Sequence, residues 1–309
     1  MAKIGIIANP YSKLNKRNPD RLTYMEQVVG SNADFIVTKS LDDLDLKIKY
    51  MSESNYDTIA ICGGDGSISQ ALSSVVRHYP VDKLPRIAVL RGGTMNLVAS
   101  QMKIYGRQMG VLKRFIKQIR RSEEFSTKKL ATLEIDGMIG FLYADGSGVR
   151  ILKEFYRKKS GLVGAAWLAV KLVSSFLVKG ALIKKMIRAQ SIRFNSDAGS
   201  ERLHSIAGFA GTISKLPLGF PLLPHAQKRE GYFQANFITA SAEKLLWQLP
   251  SIMLKHKEGK SSEKYSVCCR ELELECSEET LEYTLDGELF ESDKALQINM
   301  GPAIEFIKL

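Results

Sequence analysis

The sequence has only four cysteines in 309 residues, none in a CxxC pair, and four histidines far apart at positions 78, 204, 225 and 256. Neither a disulfide framework nor a structural zinc site is therefore expected, and a reduced cytoplasmic protein fits best. No GxxxxGK[ST] stretch occurs, which excludes a Walker-type nucleotide loop. No internal repeat or low-complexity linker is present. The apolar stretch from Gly161 to Val170 is broken by Lys171 and Lys179 before the roughly 20 residues that a bilayer span requires. At the amino terminus, a short apolar run ends at Asn9-Pro10 and reads as a first strand, not as a signal peptide.

Acidic residues are scarce in one region. Between Lys103 and Arg193 there are 20 Lys and Arg against 6 Asp and Glu, while the other 218 residues carry 24 basic and 27 acidic side chains. The whole formal excess of +11 thus lies in the middle third. Such a field attracts nucleic acid, an anionic membrane or a phosphate-rich substrate, and charge alone does not choose among them. With 45% hydrophobic and 25% charged residues the composition is globular, and the length suits two domains.

In the first part, Ile- and Val-rich runs at Ile4–Ala8, Phe35–Val37, Ile59–Cys62 and Ile87–Leu90 alternate with stretches of helical period. That alternation predicts an α/β domain with a parallel sheet. Asn18-Pro19 opens one helix and Gly30 closes it. Another helix begins near Ser67, with Ile68, Ala71, Leu72, Val75 and Val76 on one face. From about Thr127 the pattern becomes alternating runs joined by turns, including a hairpin at Asp136-Gly137. Further strands are expected at Ser191–Phe194, Leu203–Phe209, Tyr232–Thr239, Tyr265–Cys268, Leu272–Cys276, Leu281–Leu285 and Leu296–Met300, with helices around Leu162–Arg188 and Ala242–Lys255. The expected domains are 1–125, α/β, and 126–309, mainly antiparallel β, whose last residues pack back on the first.

Two glycine clusters carry the chemistry. Gly63-Gly64-Asp65-Gly66-Ser67 follows the third strand and opens a helix; Gly92-Gly93-Thr94-Met95-Asn96 follows the fourth. Glycines at a strand-to-helix turn aim several N–H groups at one point, and the helix N-terminus adds partial positive charge, which suits phosphate. Each cluster also reads as a ligand-free tight turn. Two such turns from neighbouring strands open on one edge of the sheet, where α/β proteins bind ligands. Thr94 and Asn96 can donate to phosphate oxygens or cap the helix that follows.

Asn9-Pro10, GGDGS at 63–67, GGTMN at 92–96 and a late Asp286-Gly287-Glu288, in this order and spacing, resemble the diacylglycerol kinase catalytic family, which is related to NAD kinases. The resemblance implies a nucleotide-binding α/β domain, a β-sandwich-like second domain, and transfer of the γ-phosphate of ATP to a lipid hydroxyl with Mg²⁺. Carried over by position, Asn9, Ser12 and Thr38 flank the nucleotide, Gly63, Gly64, Asp65, Gly66 and Ser67 hold its phosphates, and Gly93, Thr94 and Asn96 complete the site. Asp65 and Asp286 would hold metal, and Glu288 would accept the lipid hydroxyl's proton. Without the resemblance, Asp65 reads as a helix cap and Asp286-Gly287 as a plain type I′ hairpin. Glu230 stands where many bacterial members have an Asp that binds a structural Mg²⁺; it also reads as a solvated charge.

The chain departs from the family pattern at Ser67, where Thr is common and a hydroxyl is kept, at Ser69 and Gln70, where Asn-Glu is common, and at Leu97-Val98-Ala99-Ser100, where Asp-Phe-Ala-Arg is common. The segment Leu162–Leu177, flanked by Arg157-Lys158-Lys159, reads as a cover for acyl chains, a membrane-surface helix or a core helix. Asp145 is the one acid that would suit a sphingoid amine. The expectation is a cytoplasmic lipid kinase acting at the inner face of the membrane on diacylglycerol. Its partners are ATP, the lipid alcohol and an anionic membrane surface, without nucleic acid, and with a homodimer left open. A soluble NAD kinase-type enzyme and a catalytically impaired nucleotide- or lipid-binding regulator are the rival readings.

Overall fold

The four apolar runs of the first part become four parallel strands: β1 (Ile4–Ala8), β2 (Asp34–Val37), β3 (Thr58–Cys62) and β4 (Arg86–Val89). The computed structural model describes residues 3–93, 97–157, 187–214, 223–226, 228–239, 264–277 and 280–309. Every residue of β1 and β3 is buried, as in sheets covered on both faces. The order is β2-β1-β3-β4, with Ile6 opposite Ala60 and Ala60 opposite Ala88. The last strand, β16 (Leu296–Ile307), adds beside β4 through Phe306 opposite Ile87.

The chain divides into two compact units. The first contains Met1–Thr132, Gly137–Gly140 and Gly301–Leu309; the second contains Leu133–Asp136 and Phe141–Met300. In the first unit the strands are linked by α1 (Lys13–Arg17), α2 (Asp20–Val29), α3 (Leu41–Glu53), α4 (Asp65–His78), α5 (Leu97–Gln101) and α6 (Gln108–Arg120). Ile68, Ala71, Leu72 and Val75 of α4 are buried, the face read from the sequence. Gly30 ends α2 at φ +53, a conformation that favours glycine. Asn18 does not cap α2: Pro19 takes the cap position, and no side-chain cap bond forms there.

In the second unit all strand pairs are antiparallel. One sheet joins the first half of β16 to β13 (Glu271–Cys276), β8 (Gln190–Ser196) and β9 (Gly199–Ser205). The other runs β12 (Lys264–Cys269), β11 (Phe233–Ile238), β10 (Ala207–Gly211), β7 (Leu142–Asp145), β14 (Leu281–Leu285) and β15 (Glu288–Ser292). Phe194 of β8 stacks on Phe237 of β11 with ring centroids 5.3 Å apart and meets Tyr265 of β12 at 5.1 Å. These aromatic contacts join the two sheets into a sandwich.

Three expected elements differ from the structure. The run Leu203–Phe209 is two strands, β9 and β10, parted at Ile206, whose carbonyl accepts the Ser147 N–H at 2.9 Å while its N–H donates to Ile238 at 2.8 Å. The run after Asp136-Gly137 is likewise split into β6 (Met138–Gly140) and β7. A helix, α7 (Ser147–Arg157), follows Asp145-Gly146, which reads as a turn. The helices expected around Leu162–Arg188 and Ala242–Lys255 lie almost wholly outside the described residues. Among the described residues no helix is long and apolar enough to cross a membrane.

Strand β6 is fastened to α4 by two serines. Ser69 donates its hydroxyl to the Ile139 carbonyl at 2.6 Å, and the Ile139 N–H donates to Ser73 Oγ at 2.8 Å. All these groups are buried, so each lost hydroxyl leaves a backbone group unsatisfied. The double variant Ser69→Ala, Ser73→Ala should lose about 2 kcal/mol of stability, measured by urea unfolding. A loss within error of zero would show that β6 is held by its hairpin partner alone.

Candidate active site

The loops that leave β1, β3 and β4 at their carboxyl ends are tied to each other by backbone hydrogen bonds. Asn9 N–H donates to Cys62 O at 3.0 Å, Leu90 N–H to Ile61 O at 2.9 Å, and Gly92 N–H to Gly63 O at 2.7 Å. The two glycine turns therefore touch backbone to backbone. A Cβ built on Gly93 would lie 2.7 Å from Gly64 Cα, and one on Gly92 would lie 2.8 Å from the Gly63 carbonyl oxygen. None of these glycines has positive φ, so close approach, not left-handed backbone, is what requires them.

Gly64 caps α4, and Asp65, Gly66 and Ser67 form its first turn, where the helix presents its positive end. Asp65 Oδ1 accepts the Leu97 N–H at 2.6 Å, so this carboxylate fastens the start of α5 to the start of α4. Asp65 is the first residue of α4, and the cap before it, Gly64, makes no side-chain bond. Asn9 donates Nδ2–H to Ser67 Oγ at 2.8 Å and accepts the Tyr11 N–H through Oδ1 at 2.8 Å. Ser12 is buried at the start of α1, and among the described residues its hydroxyl has no partner. Thr38 is buried after β2, its N–H bonded to Ala8 O at 3.1 Å. Asn9, Ser12, Thr38, the 63–67 turn and Gly93 thus cluster at one edge of the first unit's sheet. Thr94 and Asn96 lie outside the described residues.

Beneath this edge lies a buried polar group that pattern reading missed. Gln108 Nε2–H donates to Cys62 Sγ at 3.1 Å and reaches toward Leu90 O at 3.5 Å, while Arg21 donates to its Oε1 at 3.2 Å. Asn15 donates to Asn9 O at 2.7 Å and to Cys62 Sγ at 3.7 Å. Burial pushes the Cys62 thiol up to about 11, so it remains a neutral acceptor. One amide thus touches the residue before the first glycine pair and the strand end before the second. The available signal was Gln108 itself, a polar residue on the buried stripe of Val111, Leu112, Phe115 and Ile116.

The late acidic residues belong to the second unit. Asp286 and Gly287, at φ +51 and +91, turn β14 into β15 as a type I′ pair. The Asp286 carboxylate accepts the N–H of Phe141 at 3.0 Å and of Leu142 at 2.9 Å, which pins the hairpin to the start of β7. Glu288 opens β15 opposite Leu285 and is exposed. Glu230 is exposed beside Gly231. Among the described residues no three His, Cys, Asp or Glu side chains converge, at Glu230 or elsewhere.

Asp145 ends β7, fully buried, and accepts the Gly208 N–H at 2.6 Å and the Tyr143 hydroxyl at 2.9 Å. Burial raises its pKa, against the opposite pull of Gly208 and Tyr143. It is enclosed by its own strand's neighbours and offers no approach to a lipid amine.

Residues 3–126 match the model of the diacylglycerol kinase catalytic domain. The matched residues contain the four parallel strands and both glycine turns. The chain is also 24% identical over 239 residues to diacylglycerol kinases of Staphylococcus aureus strains JH9 and Newman, covering 76% of this chain and 70% of theirs. A crystal structure of a diacylglycerol kinase from Bacillus anthracis str. Sterne superposes with a TM-score of 0.66 at 14% identity, covering 99% of this chain and 97% of that one. A second structure from that organism, provisionally assigned to the same class, gives 0.72 at 16% identity over the same shares. These likenesses carry the two-part fold.

Three positions at which the chain departs from the common pattern of that family have definite surroundings. Ser69 is the residue that holds Ile139. Leu97 is buried, and its N–H is the group that Asp65 accepts. Gln70 lines a surface cavity with Leu41, Asp45 and Arg77.

Two measurements check this description. Gln108→Leu should weaken adenine nucleotide binding about tenfold, the effect of losing hydrogen bonds worth roughly 1.4 kcal/mol, without loss of the folded state. Calorimetry and thermal unfolding together read this, and unchanged affinity would free Gln108 from the loops. Asp145 holds its proton more tightly folded than unfolded, so its stabilising effect is full below the ordinary carboxylate pKa of about 4 and falls as pH rises through that value toward the raised one. Asp145→Asn should therefore gain on the wild type, in urea midpoint, as pH rises from about 4. A difference that does not change with pH would refute the assignment.

Proposed function

We propose that this protein transfers the γ-phosphoryl group of ATP to the hydroxyl of a membrane lipid, with diacylglycerol as the substrate class that fits best. The observation that carries the reading is the backbone contact between the glycine turns at Gly64 and Gly93, inside a stretch that matches the diacylglycerol kinase catalytic domain. Turns joined in this way at the start of the 14-residue helix α4 suit the phosphates of a nucleotide. Ser12, buried with an unpartnered hydroxyl in the first loop, adds a hydrogen-bonding group for the same ligand.

Mg²⁺ bound to the phosphates would neutralise charge that develops on transfer. Among the described residues no three His, Cys, Asp or Glu side chains converge, and Asp65 is the carboxylate of the glycine loops that would hold the ion together with the nucleotide. Asp65 and Asp286 each accept backbone N–H groups, which fixes where their carboxylates sit. Glu288, the exposed carboxylate of the late hairpin, serves as the acceptor of the lipid hydroxyl's proton. In a loose transition state that proton leaves late, so the acceptor need not be a strong base. The basic middle third supports a peripheral location at the inner face of the membrane.

The test incubates the full chain with γ-labelled ATP, Mg²⁺ and mixed micelles of diacylglycerol, with sphingosine and NAD as separate acceptors. Label should enter phosphatidic acid. Label in NAD phosphate, or in no acceptor, would replace the lipid kinase reading with one of its rivals. Glu288→Gln should lower turnover by about 10²–10⁴ with nucleotide affinity unchanged, and a normal turnover would reduce 286–288 to a hairpin.

A further inference from the structure

Two arginines of the second unit share one tyrosine. The guanidinium carbon of Arg229 lies 3.6 Å from the Tyr232 ring centroid, and that of Arg270 lies 4.7 Å from the same centroid. Both arginines are exposed, and Tyr232 is half-buried immediately before β11. Contact with a ring engages the face of a guanidinium and leaves its in-plane N–H donors outward. Among the described residues neither guanidinium makes a hydrogen bond or an ion pair, although Glu230 and Glu271 are their sequence neighbours.

The mount is fixed. Arg270 sits in the turn between β12 and β13, its N–H bonded to Asp197 Oδ1 at 2.9 Å and its carbonyl accepting the Met300 N–H at 2.9 Å. Asp197 is the one carboxylate bonded to this turn, and it meets the backbone, not the guanidinium. Lys228 adds a third exposed positive charge. Its field and that of Arg229 reach Cys268, where they oppose the upward effect of burial on the thiol. Like charges held around one ring repel each other, and an anion between them removes that cost while taking bidentate hydrogen bonds from each fork.

We propose that Arg229, Arg270 and Tyr232 form a binding site for the phosphate group of an anionic lipid, separate from the nucleotide loops. A lipid is favoured over a free phosphate ion because the cluster is open and exposed, as a headgroup presented by a flat surface requires. The inference does not depend on the kinase reading.

The test uses the full chain and phosphatidylcholine vesicles with and without phosphatidic acid, read by sedimentation, with inorganic phosphate titrated by calorimetry. Arg229→Gln with Arg270→Gln should reduce partitioning onto phosphatidic acid vesicles about tenfold, and nucleotide affinity should stay unchanged. Tyr232→Leu keeps every charge yet should cause a comparable loss, because the ring orients both forks. The pair Arg120→Gln and Arg121→Gln, in the first unit, should have a clearly smaller effect. Equal losses from the two arginine pairs, or full binding by Tyr232→Leu, would overturn the site in favour of diffuse charge. Inorganic phosphate bound by the wild type and lost in the double variant, with vesicle binding unchanged, would overturn the lipid assignment.

Discussion

The contact between Gly64 and Gly93 is the constraint on which the first unit's candidate site depends. Strands β3 and β4 pair in register through Ile61 and Val89, and their loops stay together beyond the strand ends, with Gly92 N–H bonded to Gly63 O. In most parallel sheets the chains separate at this point to enter their crossover helices. Here a side chain at 92 or 93 would force the backbones apart by more than the structure can absorb, because the opposing atoms are backbone and cannot rotate away. The start of α4 is thereby held against the second loop.

Several polar groups then work to keep that contact in place. Asn9 joins the β1 loop to Ser67, Asp65 joins α4 to α5 through the Leu97 N–H, and Gln108 supports the strand ends from below through Cys62. Each is a side chain bonded to backbone or to a buried partner on another segment, so each restricts a loop without lengthening any element. The helices around them can vary in sequence as long as these bonds survive. Ser69 and Leu97, where the chain leaves the common family pattern, are packing positions of that kind.

Much of this was legible in the sequence, and the parts that were not share a cause. The buried runs of β1 to β4, the apolar face of α4 and the type I′ pair at Asp286-Gly287 all follow from local chemistry, since period and turn preference are local properties. The breaks at Phe141 and Ile206 are not local. A strand that leaves one sheet for another keeps its alternation, and only the change of partner marks the bend. The same holds for side chains: Asp286 could be recognised as a turn residue, but not that its carboxylate would take the N–H groups of Phe141 and Leu142. Gln108 lay in view as a polar residue on an apolar stripe, yet its partners Cys62 and Leu90 are set by the sheet and not by α6.

The acidic residues show how fixing and chemistry divide between similar groups. An aspartate that accepts N–H groups from a distant segment is held in place, which suits it to define a position. Asp65 and Asp286 are both held in this way, each across a long stretch of sequence. Glu288 has one more methylene and sits exposed on the strand that Asp286 anchors. The short side chain therefore sets the hairpin, and the longer one, two residues on, stays exposed, as the proton acceptor proposed above requires.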